Sequence, residues 1–292
     1  MLHVFDSATG DEAFAYVPGV LANRLAEIPL QRGNGVFTKL NGNDFVETGG
    51  TKTLPETVRA YVDGNPYTAD IKLGNANSTS NTTWKTYAFS SLGRGGKAVF
   101  ALDVTNPSNL SEGNAASIFK WQFSSADDAD MGYVTGSLIK NHPSSNQASP
   151  IAVMNNGKFA MIIGNGQKST TGKAVLYILF VDGPSSSGWG AGTYKKIVVD
   201  DGSGNGLSTP RWEDIDGDGT ADVIYAGDLK GNVWKFDVTD GNTDNWKPAF
   251  GAAATGGGMA QPLFTVTYDQ ANGAKAVLPI TTKLRRTYED EN

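Results

Sequence analysis

The chain has 292 residues, enough to bury a substantial core as one large domain or two smaller ones, and its 36 glycines and 10% aromatics suit many short strands joined by tight turns. A net charge of −6 argues against a nucleic-acid partner, and the lack of cysteine excludes disulfide and thiolate chemistry. The only histidines, His3 and His142, are isolated from each other and make a poor basis for zinc or a catalytic triad.

The chain opens inside a strand pattern, Leu2-His3-Val4-Phe5-Asp6, with neither a basic and apolar leader nor a membrane span. We therefore read it as an excised piece of a longer protein whose missing leader says nothing about compartment. Residues 17–28 (VPGVLANRLAEI) are the best helix candidate, with Val20, Leu21, Leu25 and Ile28 at helical spacing. Residues 74–83 and 183–192 are glycine- and serine-rich and predict polar loops that bury no apolar area. Asp127, Asp128 and Asp130 form an acidic cluster without the alternation of a cation loop, and predict a solvated turn or a helix start. Gly256, Gly257 and Gly258 predict a flexible turn.

One strand pattern recurs four times, at residues 2–6, 97–104, 175–182 and 233–238. Each places aromatic or aliphatic residues at alternate positions and runs into a turn, usually led by Asp. Glycines precede the last three copies. Repeated glycine, strand and Asp units signal a β-propeller, with about four strands per blade. Irregular spacing between copies predicts a distorted propeller with insertions and blades lacking at its ends; a β-sandwich is the alternative.

Residues 214–222, DIDGDGTAD, carry four carboxylates at alternate positions, with Gly219 where a calcium loop must turn. Hard cations take oxygen ligands from loop positions 1, 3, 5, 7 and 9, with position 7 giving its main-chain carbonyl. Those positions are Asp214, Asp216, Asp218, Thr220 and Asp222. Four like charges in so short a stretch repel unless neutralised, and the loop contains no Lys or Arg. A solvated acidic turn is the bland alternative, since Asp and Gly are common turn residues. Position 12, which is Glu in an EF-hand, is Tyr225 here. Residues 223–238 read as strand, turn and strand. The loop is thus EF-hand-like in its ligands but enters a β-hairpin, with Asp222 supplying the carboxylate that an EF-hand takes from Glu. An ion there is expected to lock the strand near Tyr225 against its partner near Trp234.

Several segments together resemble the C-terminal propeller of the PilY1/PilC family of type IV pilus biogenesis factors. They include Leu2-His3-Val4-Phe5-Asp6, Phe14-Ala15-Tyr16-Val17-Pro18, Tyr61-Val62-Asp63-Gly64 and residues 95–104. Asp130-Met131-Gly132-Tyr133, Ile163-Gly164-Asn165-Gly166 and residues 214–237 complete the series in the same order. The resemblance implies a modified seven-bladed propeller over residues 1–283, followed by a charged tail at 284–292. It implies Ca2+ held by Asp214, Asp216, Asp218, the Thr220 carbonyl and Asp222. It also implies an outer-membrane or pilus-associated place at the cell surface. The expected partners are the pilus machinery or minor pilins, and a host or abiotic surface; the expected role is regulation of pilus retraction, twitching motility and adhesion. Gln167 departs from the pattern where an aromatic is expected.

Two rivals stay open beside a calcium-gated module. One is an adhesive propeller that calcium braces permanently. The other is a quinone-dependent dehydrogenase, kept open by six tryptophans. Trp84, Trp121, Trp189, Trp212, Trp234 and Trp246 are more economically read as core and inter-blade packing, and no dense catalytic constellation accompanies them. The expectation is therefore a protein that is not an enzyme.

Overall fold

Strands whose side chains are apolar on both faces must be covered on both faces. The fold follows from that demand. A computed structural model describes residues 1–27, 30–32, 36–38, 61–80, 83–136, 138, 149–251, 258–270 and 275–284. Strands β1 (Leu2–Phe5) and β2 (Glu12–Tyr16) form an antiparallel hairpin, and β3 (Leu30–Arg32) with β4 (Val36–Thr38) forms another. A four-stranded antiparallel sheet then runs through β5 (Tyr67–Ile71), β6 (Lys85–Ser91), β7 (Ala98–Asp103) and β8 (Phe119–Ser124).

The second meander is β9 (Ile151–Met154), β10 (Phe159–Gly164), β11 (Ala174–Phe180) and β12 (Tyr194–Asp200). Beyond it come β13 (Arg211–Glu213), β14 (Thr220–Ala221), β15 (Val223–Gly227) and β16 (Asn232–Asp237). Strand β17 (Lys247–Pro248) and β18 (Phe264–Thr265) both pair with β16, and β19 (Thr267–Asp269) pairs with β20 (Lys275–Val277). The described residues thus build three sheets of four or five strands and three two-stranded hairpins. All four recurrent segments are strands: β1, β7, β11 and β16.

The sheets stack face to face. On β11 the even positions Ala174, Leu176, Ile178 and Phe180 pack with Trp212, Ile224, Trp234 and Phe236 of the third large sheet. The odd positions Val175, Tyr177 and Leu179 pack with Phe89, Val99, Trp121 and Phe123 of the first. The far face of that first sheet, through Phe100 and Leu102, covers Phe14 and Leu21. Strand period two thus becomes two cores per sheet.

Four sequence expectations are corrected. Residues 19–27 form a 3₁₀ helix rather than an α-helix. The Leu21 amide donates to the Pro18 carbonyl at 2.9 Å, an i to i−3 bond, and Leu21 is buried in the core while Val20 stays exposed. Ile28 lies outside the described residues, as do Gly256, Gly257, His142 and residues 285–292 of the tail.

The loop at residues 183–192 does bury apolar surface. Trp189 stands edge-on to Trp121 and Phe123, with centroids 5.5 and 5.3 Å away, and its indole donates to the Gln122 carbonyl at 2.7 Å. Trp84, in contrast, is 54% exposed, beneath the Lys72 ammonium at 4.8 Å, and is not core.

The acidic cluster is a turn, but of its aspartates only Asp127 is exposed. Lys196 of β12 reaches across to it, with Nζ 2.8 Å from both Asp128 oxygens and 2.6 Å from Asp130 Oδ2, and Asp130 is only 4% exposed. Burial by itself raises the Asp130 carboxyl, but the Lys196 ammonium and the Thr171 hydroxyl outweigh it and hold the group below the usual carboxylate range. Among the described residues no helix is long and apolar enough to cross a membrane.

Candidate metal centre

Glu213 ends β13 and Val223 begins β15, and the two are paired, so residues 214–222 are the connection between two antiparallel neighbours. The Asp222 amide donates to the Glu213 carbonyl at 3.0 Å and its carbonyl accepts from the Val238 amide at 2.9 Å, which closes the loop at its base. Gly217 and Gly219 lie in the left-handed region at φ +83° and +89°. A Cβ on either would meet nothing within 4 Å, so glycine is needed there for conformation rather than for space.

The curl converges three carboxylates. One oxygen from each of Asp214, Asp216 and Asp218 lies within 4.8 Å of the others. Asp214 accepts from the Gly217 amide at 2.7 Å and from the Gly219 amide at 2.9 Å. Asp216 accepts from the Asp218 amide at 3.2 Å, and Asp218 Oδ1 from the Thr220 amide at 2.7 Å. The Thr220 hydroxyl and amide together hold the Asp218 carboxyl below its ordinary range. Among the described residues no Lys or Arg pairs with Asp216, Asp218 or Asp222. An all-oxygen donor set with three convergent carboxylates fits a hard divalent cation.

The other two predicted ligands stand differently. Asp222 is outside the carboxylate triplet and 4% exposed; its Oδ2 accepts from the Ile215 amide at 2.7 Å. Thr220 belongs to β14, which does not stay within its own sheet. It runs parallel to β9, with Thr220 opposite Val153 and Ala221 opposite Met154.

Sequence reasoning missed Asn155, in the turn between β9 and β10. Its Nδ2 stands 2.9 Å from the Ala221 carbonyl, 3.0 Å from the Val238 carbonyl and 3.2 Å from Asp222 Oδ1. Its Oδ1 is 3.1 Å from the Thr220 hydroxyl. The only local signal was a turn, Asn155-Asn156-Gly157, which does not point to a loop some 65 residues away. Gln167, the departure from the expected aromatic, pairs through its main chain with Tyr133 in an isolated bridge.

The PilY1 beta-propeller domain family model matches residues 1–282. The type IV pilus biogenesis factor PilY1 of Pseudomonas aeruginosa PAO1 is 32% identical over 98% of the chain, which spans 21% of that relative's length. A PilY1 homolog of Xylella fastidiosa is 33% identical over 92% of the chain, which spans 15% of it. The crystal structure of the P. aeruginosa PilY1 C-terminal domain superposes with a TM-score of 0.62 at 28% identity, covering 96% of this chain and 46% of that one. Taken with the stacked sheets, these likenesses mean that the chain belongs to the PilY1 β-propeller family of type IV pilus biogenesis factors.

Proposed function

We propose that the chain is a calcium-binding module of a surface-exposed pilus biogenesis factor, acting by interaction rather than by catalysis. The observation that carries the reading is the convergence of Asp214, Asp216 and Asp218 within 4.8 Å in a loop whose glycines adopt left-handed turns. Asp214, Asp216, Asp218, the Thr220 main-chain carbonyl and Asp222 would hold the ion. When bound, it would supply the positive charge that offsets their mutual repulsion. The relatives' name, type IV pilus biogenesis factor, supports the pilus machinery as partner and the outer membrane or cell surface as location. Regulation of retraction, twitching and adhesion belongs to the same reading.

A permanent brace is the second form of this reading, and one observation favours it. Five loop amides, those of Ile215, Gly217, Asp218, Gly219 and Thr220, are already satisfied by carboxylates of the loop. A quinone-bearing propeller draws less support. Where β10 meets residues 206–209, backbone touches backbone: a Cβ on Gly164 would strike the Leu207 and Ser208 carbonyls. The hollow left there is about 30 Å³, too small for a flat cofactor; the larger hollows, of about 640 and 430 Å³, lie beside Arg211 and Tyr225 and beside Arg94 and Tyr133.

Calorimetric titration with calcium, repeated with magnesium and with Asp218→Ala, tests the proposal. The expected result is calcium-selective binding that Asp218→Ala abolishes. A midpoint far below the calcium concentration outside the cell identifies a permanently occupied brace, and a midpoint within the range the cell surface meets identifies a switch. Folded wild-type protein that binds no calcium overturns both.

A further inference from the structure

Resting on that calcium reading, we infer that Asn155 is a positioning residue that ties the metal loop to the neighbouring sheet. Occupancy of the loop is then felt at the seam between β14 and β9, not in the hairpin β15–β16.

The hairpin has little need of an ion. Its strands share five paired positions, and Ile224, Ala226, Trp234 and Phe236 between them are buried. The seam is the weaker element. Strand β14 has two residues, and its pairing with β9 is the one parallel pairing among the described strands. So short a parallel ladder is marginal by itself. It nevertheless covers the edge of the second large sheet, which would otherwise present unpaired amides and carbonyls.

Asn155 supplies what the ladder lacks. Its own backbone is fixed in the β9–β10 turn, where the Met154 amide donates to the Lys158 carbonyl at 2.9 Å and the Gly157 amide to the Met154 carbonyl at 2.8 Å. From that fixed point its amide group reaches loop position 7 through the Thr220 hydroxyl and position 9 through the Asp222 carboxylate. It also meets the Ala221 and Val238 carbonyls on either side. The chemistry suits a support to a cation site: Asn donates to Asp222 without bringing a positive charge that would compete with the ion. Residues that orient ligands in this way typically change metal affinity by about 10- to 100-fold.

The test is calcium titration of the 292-residue chain with hydrogen exchange measured with and without calcium, in wild type and Asn155→Ala. In wild type, calcium is expected to slow exchange in residues 214–222 and also in residues 151–155. In Asn155→Ala the dissociation constant is expected to rise about tenfold, with protection kept in the loop and lost from 151–155. Wild-type protection confined to 214–222 overturns the coupling, as does an Asn155→Ala variant that keeps both affinity and β9 protection. A change of affinity that leaves β9 protection intact overturns it too. Wild type that binds no calcium at all, like Asp218→Ala, fails the metal reading itself and is distinguished by the titration alone. If Asn155→Ala does not fold, the wild-type comparison decides alone: protection by calcium in 151–155 as well as 214–222 supports the coupling, and protection confined to 214–222 overturns it.

Discussion

Asp228 shows what a single carboxylate can do when every acceptor site is used. It is fully buried at the turn between β15 and β16. Its Oδ1 accepts from the Lys230 and Asn232 amides at 2.9 and 2.8 Å. Its Oδ2 accepts from Asn205 Nδ2 and Asn232 Nδ2 at 2.9 Å and from the Trp234 indole at 2.8 Å. A buried charge is tolerated only with such complete satisfaction. Replacing Asp228 by Ala strands the Trp234 indole and Asn232 Nδ2 without their acceptor and leaves Asn205 Nδ2 with Asp200 alone, so Asp228→Ala is expected to cost about 3 kcal/mol or more in urea unfolding. A loss below about 1 kcal/mol would show that water substitutes for the carboxylate. In the sequence the residue was the Asp of a turn: most of its donors lie within six positions, but the burial that makes them matter, and the Asn205 amide, come from the fold.

At the scale of elements, seams between sheets carry the polar chemistry. Lys196 on β12 clasps Asp128 and Asp130 on the turn that follows β8, joining the second large sheet to the first. Asp130's folded pKa is depressed, so its contribution is fully present above the unfolded carboxylate value of about 4 and is lost as pH falls through the lower folded value. Lys196→Met is expected to destabilise the chain by about 2 kcal/mol at about pH 7. That gap should shrink as pH drops below about 4. Thermal unfolding of both proteins from about pH 7 to about 2.5 measures it, and a gap independent of pH would mean that Lys196 acts through packing alone. Strand β14 is the other seam. The alternating carboxylates around it were legible because ligand spacing within one loop is local, whereas its pairing with β9 was not, since nothing in two residues specifies a partner.

Across the whole molecule, stacking makes the sheets depend on one another. Phe236 is fully buried in a cluster that draws on both the second and third large sheets. Truncation of a buried phenylalanine removes transfer energy and leaves a cavity, so Phe236→Ala is expected to cost about 3–5 kcal/mol. Its denaturation midpoints by tryptophan fluorescence and far-ultraviolet circular dichroism should still coincide. Separate midpoints would mean that the sheets unfold independently. The sequence by itself determined the all-β class, the four recurrent strands and the alternating carboxylates of residues 214–222, because strand period and side-chain spacing are written within a few consecutive residues. The tertiary structure alone decided that the acidic turn clasps Lys196, that Trp189 is packed and Trp84 is not, and that Asn155 serves the loop. Those outcomes depend on groups far apart along the chain, and only the stacking of sheets sets the distance between them.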